Sequence, residues 1–284
     1  MFMKPTTFRA GIAAAIIAGS SVTAARALAQ DGPSPVRMDP DRMAGLDLTP
    51  VPNDGYIDIL VEGTLEFEVA SLYAGDELRA SIFASTPAKT DHRNRPLEYD
   101  EFVLVLNGKL ILTEQNGKAQ EFTPGDVVIL PKGYTGTWEM RGDYRELAVV
   151  PVTPGDITER DGSPVRMNPD MMAGLGLTPI PNDGFIDILV EGELEFTLGD
   201  LYTGQNLRAV VVESTPAKTD HRNRPLEYDE FVLVLNGGLV LTEQNGRRQE
   251  FRPGDALVVP KGYTGTWEQL GAYRELALVL ATDP

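Results

Sequence analysis

Residues 125–133 read GDVVILPKG, and residues 254–262 read GDALVVPKG. Glycine and aspartate open a turn, a run of branched apolar residues follows, and proline with a second glycine closes it, which is the punctuation of a short buried strand between tight turns. The string continues into PKGYTGTWE at 131–139, which recurs unchanged at 260–268. Upstream, EFVLVLNG occupies 101–108 and again 230–237. The offset is 129 residues throughout, and without a gap it also aligns Ser34 with Ser163 and His92 with His221. Residues 85–108 recur unchanged at 214–237, whereas differences gather at 68–70 and 81–84. The chain is a tandem duplication.

Working outward, each copy is a series of short runs rich in branched residues, in the first copy 57–62, 78–84, 102–106, 110–113, 127–130 and 147–150. Asn107 with Gly108 and Asn116 with Gly117 predict tight hairpins, and 124–126 predicts another turn. Only 40–46 and its repeat 169–175 suit a short helix. The expected fold class is all-β, each copy closing as a sandwich or barrel. The turn-rich stretch 153–164 marks the boundary, giving a leader at 1–29, a first unit at 30–157 and a second at 158–284.

Lys4 and Arg9 precede a small-residue apolar run at 10–22, followed by the Ala-x-Ala site of Ala27 and Ala29. This reads as a cleavable secretory signal, which places the mature protein in the periplasm or outside the cell. The run is shorter than the roughly 20 residues that span a bilayer, so no membrane insertion is expected after cleavage. The chain has no cysteine, which excludes disulfides, thiolate metal sites, cysteine nucleophiles and a lipidated cysteine anchor. Its formal charge is -17, and the leader contributes only basic groups, so the mature protein is more acidic still. A surface of that sign repels phosphate backbones, and nucleic acid is not an expected partner. No P-loop, nucleophile elbow or dinucleotide fingerprint is present in a fitting context.

The strings E-x6-G at Glu101–Gly108 and G-x5-P-x-G at Gly125–Gly133, both repeated, resemble the two motifs of the RmlC-like cupin superfamily. The run through PKGYTGTW is most similar to the branch that contains ureidoglycine aminohydrolase and the ethanolamine-utilisation cupin. That resemblance implies two tandem jelly-roll barrels, a bicupin, with a site in each barrel mouth. Most metal-bearing cupins take ligands from H-x-H and a glutamate in the first motif and from a histidine in the second, and the aminohydrolases use a glutamate, two histidines and a glutamine. Here Gly136 and Gly265 stand at the second-motif histidine position, and each copy has one histidine.

The two histidines, His92 and His221, fall within the unchanged block TDHRNRPLEYDE. Each suits acid–base work or ligand contact, metal ligation with Glu98 and Glu101 or with Glu227 and Glu230, or a hydrogen-bonded place in a structured loop. Lys89, Arg93 and Arg95 form a basic cluster suited to an anionic ligand, or to ion pairs with the acids nearby. Glu101 and Glu230 begin strands and point inward by their match to the motif glutamate, and a carboxylate there needs a partner. Tyr134 with Trp138, and Tyr263 with Trp267, form either an aromatic wall or core.

The expected site is therefore His92, Arg95, Glu98, Glu101, Tyr134 and Trp138, with His221, Arg224, Glu227, Glu230, Tyr263 and Trp267 as its equivalent. His92, Glu101, His221 and Glu230 carry any catalysis, and the rest bind ligand. The function expected is an exported bicupin that binds a small polar or anionic metabolite in each barrel. The alternatives are a metal-assisted hydrolase or isomerase of the aminohydrolase type, and an assembly module without ligand. No cofactor is favoured, a weakly held divalent metal and homo-oligomerisation are left open, and one ligand preference is expected for both barrels.

Overall fold

A computed structural model describes residues 33–154 and 162–281; the expected leader lies outside them. The strands are β1 Val36–Arg37, β2 Thr49–Val51, β3 Leu60–Gly63, β4 Phe67–Ala74, β5 Leu78–Ser85, β6 Ala88–Asp91, β7 Glu101–Thr113, β8 Ala119–Phe122, β9 Val127–Leu130 and β10 Thr137–Pro151. The second copy repeats them as β11 Val165–Arg166, β12 Thr178–Ile180, β13 Leu189–Gly192, β14 Phe196–Thr203, β15 Arg208–Ser214, β16 Ala217–Asp220, β17 Glu230–Thr242, β18 Arg248–Phe251, β19 Ala256–Val259 and β20 Thr266–Val279. The helical turns α1 Pro40–Met43 and α2 Pro169–Met172 are capped by the side chains of Asp39 and Asn168. The fold is all-β, built as two tandem barrels, and no described helix is long and apolar enough to cross a membrane.

Each sheet has ten strands, one of them borrowed. In the first barrel the order is β11-β9-β7-β10-β5-β4-β2, with β3, β6 and β8 attached at the side, and in the second it is β1-β19-β17-β20-β15-β14-β12. Thus β1, at the start of the first copy, pairs Val36 with Val258 in the second barrel, and β11 pairs Val165 with Ile129 in the first. The exchanged strands are tied by matching contacts. Arg37 meets Asp255 at 2.7 Å and lies 4.2 Å from the Phe251 ring, while Arg166 meets Asp126 at 2.6 Å and lies 4.2 Å from the Phe122 ring.

The expected hairpin at Asn107 and Gly108 is absent, and one strand runs from Glu101 to Thr113. Its pairing with β10 shifts register between Arg141 and Glu146, so the dipeptide forms a bulge instead. Gly108 has φ of 69°, and a Cβ there would lie 2.7 Å from the Arg141 carbonyl oxygen, so backbone crowding also requires glycine. Gly117 does form the expected turn, at φ 85°.

Alternation along β7 sends Glu101, Val103 and Val105 into the first barrel, while Phe102 and Leu104 join a core shared with Phe231, Leu233, Leu276 and Leu278 of the second. Phe102 and Phe231 stack with ring centres 5.4 Å apart. Both faces of these strands are buried, which explains why EFVLVL is nearly continuous in apolar residues. The two barrels are halves of one folded body, joined by this core and by the exchanged strands.

Candidate functional site

The loop after β6 carries His92 and is fastened by its N–H to the Gly136 carbonyl at 3.0 Å; the His221 N–H meets the Gly265 carbonyl at 2.9 Å. Each imidazole Nε2 lies against a threonine hydroxyl, Thr90 at 3.1 Å and Thr219 at 3.2 Å. Burial pushes His92 down to about 4 and lowers His221, so both rings are neutral near pH 7. Glu101 and Glu230 point into their barrels, and each shares its interior with a second carboxyl, Glu146 or Glu275, which accepts a hydrogen bond from Tyr144 or Tyr273. Burial raises all four, and the nearby Glu146 charge adds to Glu101 as Glu275 adds to Glu230. Glu146 and Glu230 reach about 8 and Glu275 about 7, so each pair holds protons near neutrality.

The two interiors differ in content. In the first barrel Tyr56, Phe67 and Phe83 pack in series, edge-on and then tilted, with ring centres 4.8 and 4.6 Å apart, in one core cluster with the buried Met140. His92 is fully buried, its ring centre 6.3 Å from that of Trp138. In the second barrel Phe83 is replaced by Val212, Met140 by Gln269 and Tyr56 by Phe185. A cavity of about 270 Å³ opens there, lined among others by Phe185, Phe196, Val212, His221, Glu230, Trp267, Gln269 and Glu275. The exchange of one ring for one isopropyl group removes side-chain volume from that wall, and Phe185 and Phe196 are half-buried where Tyr56 and Phe67 are buried.

Of the second set of expected site residues, His221, Glu230 and Trp267 are brought together on the cavity wall. Arg224 is turned outward to the Gly184 carbonyl and to Asp187 at 3.4 Å, and Glu227 is exposed. Tyr263 is spent elsewhere, its hydroxyl donating to the Thr266 carbonyl at 3.0 Å. In the first barrel His92, Glu101 and Trp138 are buried in the core, Tyr134 donates to the Thr137 carbonyl at 3.0 Å, and Glu98 is half-buried. Arg95 donates to the Gly55 carbonyl and lies 3.7 Å from Asp58. The basic cluster is occupied locally as well, Arg93 by Asp91 and Lys89 by Glu139 at 3.8 Å. It does not converge on an anion site.

The family model described as an EutQ-like cupin domain matches residues 73–146 and again 203–274, together half of the chain. The chain belongs to this cupin family. Among solved structures this cupin is similar to a protein of unknown function from Pseudomonas syringae pv. tomato, with a TM-score of 0.62 and 18% identity over 87% of this chain and 99% of that one. It is also similar to a putative glyoxylate-induced protein from Pseudomonas aeruginosa, with a TM-score of 0.51 and 13% identity over 83% and 89% of the two chains. A salicylate 1,2-dioxygenase variant from Pseudoaminobacter salicylatoxidans gives a TM-score of 0.51 and 13% identity over 87% and 84%. At these identities the likeness is one of fold. None of the curated proteins matches the sequence.

The metal set common in cupins does not fit this cupin. A Cβ on Gly136 would lie 2.2 Å from the Tyr134 hydroxyl and 2.3 Å from the Thr113 carbonyl oxygen, and Gly265 is enclosed in the same way. No side chain can project from that position without moving the strand. The described residues bring no three histidine or acidic side chains into a metal-binding group. One imidazole per barrel, held to a threonine, is a poor donor set for a transition metal.

Glu146, Glu275 and Gln269 were not among the residues expected from sequence. The signal for Gln269 was available, since it is a polar residue standing where the first copy has Met140, inside an otherwise apolar parity. Glu275 lies in the unremarkable YRELA string shared by both copies, and only its placement opposite Val234 in the sheet gives it an inward direction.

Proposed function

We propose that this bicupin binds a small organic molecule and that its ligand seat is the second-barrel cavity, with the first barrel serving as a packed support. The observation that carries the reading is the replacement of Phe83 and Met140 by Val212 and Gln269, which coincides with the cavity of about 270 Å³. Its walls combine aromatic and branched surface with a few convergent polar groups, the usual make-up of a small-molecule site. The expected pair of equivalent sites thereby becomes one site per chain. Calorimetry with benzyl alcohol tests it: one site in the wild type and none in Val212→Phe supports the seat, and binding retained in Val212→Phe refutes it.

Acid–base catalysis is the second reading, favoured by Glu230 at about 8 and Glu275 at about 7 on the wall of the cavity. The first barrel weighs against it, because Glu101 and Glu146 are raised by the same burial inside a packed interior. The shift accompanies the fold and does not by itself mark chemistry. Export completes the proposal, and protein recovered from the cell envelope should begin at or near Gln30.

A further inference from the structure

The cavity of the second barrel is rich in hydrogen-bond acceptors. Glu230 and Glu275 both line it, as does Gln269, which is less than a tenth exposed and whose side-chain oxygen is buried without a hydrogen-bond partner. Arg208 is the basic side chain on its lining, and it is held by Asp200 at 2.6 Å. Arg224, the neighbouring cation, does not line the cavity; it is tied to the Gly184 carbonyl and lies 5.8 Å from the centre of the Phe185 ring, on which it makes a cation–π contact. His221 is neutral beside Thr219. An anion entering this space would meet two carboxyls with no converging cation to offset them, whereas an ammonium group would supply donors to three acceptors. Around these groups stand Phe185, Phe196 and Trp267, whose ring faces attract cations and whose area suits an apolar body.

We propose that the second-barrel cavity selects a small organic cation, a primary amine whose ammonium group sits between Glu230, Glu275 and Gln269 while its apolar body packs on Phe185, Phe196 and Trp267. The inference rests on the reading of this cavity as the ligand seat. It replaces the anionic ligand expected from the arginine cluster. Gln269 distinguishes the two barrels chemically as Val212 distinguishes them sterically: Met140 at its position offers a thioether and no strong acceptor.

The test is calorimetric titration at pH 8.5 with three probes that share one body, benzylammonium chloride, benzyl alcohol and sodium benzoate. Wild type should bind one benzylammonium per chain, at least about tenfold more tightly than benzyl alcohol and more tightly still than benzoate, about tenfold being one well-placed charge-assisted contact. Glu230→Gln with Glu275→Gln should erase that preference, read as the ratio of the benzylammonium affinity to that of benzyl alcohol in the same variant. Gln269→Met, which restores the residue that the first barrel already accommodates, should weaken benzylammonium severalfold relative to benzyl alcohol. Equal or tighter binding of benzyl alcohol or benzoate in wild type overturns the cation inference and leaves the seat standing. A preference that survives the double glutamine change overturns it too. Binding of none of the probes, or binding that persists in Val212→Phe, overturns the seat and the inference together.

Discussion

Asp100 of the first barrel accepts a hydrogen bond from the hydroxyl of Tyr202 in the second at 2.9 Å, and it does so while almost fully buried. The same carboxylate accepts the backbone N–H of Asn206 and of Leu207 at 3.1 Å each, and that of Lys132 in its own barrel at 2.8 Å. Asp229 repeats the arrangement toward Glu77, Leu78 and Lys261. Gly75 and Gly204 make room for it, since a Cβ on either would lie 2.2 Å from an aspartate oxygen. The identity of residues 85–108 and 214–237 therefore has a structural counterpart: both blocks furnish one pseudo-symmetric joint.

Asp100→Ala leaves several buried donors unpaired at once, each costing about 1–3 kcal/mol. Urea denaturation should show a loss of about 3 kcal/mol or more, with Asp229→Ala giving a similar value. A loss below about 1 kcal/mol in both would show that the joint is not held by these carboxylates.

Phe83→Val together with Met140→Gln gives the first barrel the residues of the second. Removal of a buried ring costs about 2–5 kcal/mol where the space cannot collapse, so the variant should be less stable than wild type yet fold. Titration with benzyl alcohol should then count two sites per chain in place of one. If the count stays at one, the aromatic series of Tyr56, Phe67 and Phe83 is not what closes the first barrel.

The acid pairs set a pH dependence of stability. Their folded values lie above those of free carboxyls, near 4.5 in the unfolded chain, so the folded state binds more protons across the interval between. Stability from these groups is complete below about pH 4.5 and is lost as pH rises through 7 to 8. The thermal midpoint should therefore drop between pH 6 and 8.5. Glu146→Gln with Glu275→Gln should flatten that drop, and an equally steep curve in the double variant would place its origin elsewhere.

Gly265→His would restore the histidine of the common cupin metal set in sequence alone. Because its Cβ would lie 2.2 Å from both the Thr242 carbonyl oxygen and the Tyr263 hydroxyl, we expect destabilisation of about 2 kcal/mol or more, in the range of overpacked cores, and no gain of zinc or manganese on elemental analysis. Stoichiometric metal in a stable variant would mean that the strand yields readily.

The barrel architecture was legible because turn residues such as Gly117 and Gly125 punctuate runs whose apolar parity is unambiguous. The bulge at Gly108 was not, since an Asn-Gly pair serves a hairpin or a bulge equally, and the choice is made by the crowding of Arg141 and Tyr144 on the neighbouring strand. Motif matching found Glu101 and Glu230, and the unchanged block singled out His92 and His221. It also drew in Tyr134 and Arg95, whose partners, the Thr137 and Gly55 carbonyls, become visible only when chain distant or adjacent in sequence is folded around them. The asymmetry between the barrels was present in the sequence at Phe83 and Val212, but identity of the surrounding block pointed to equal sites. Under the proposed reading, the changes at Phe83 and Val212 and at Met140 and Gln269 outweigh that run of unchanged residues.

The borrowed strands β1 and β11 give the duplication a history and a timetable. A single copy leaves the edge beside its GDVVILPKG strand open, and the first strand of the other copy closes it in each barrel. With the partner supplied in the same polypeptide, one copy could lose its cavity to aromatic filling without loss of the other's edge. In chain order the strand that completes the second barrel comes first, at Val36 and Arg37, whereas β9, paired with β7 on one side, keeps its other edge open until Val165 and Arg166 follow.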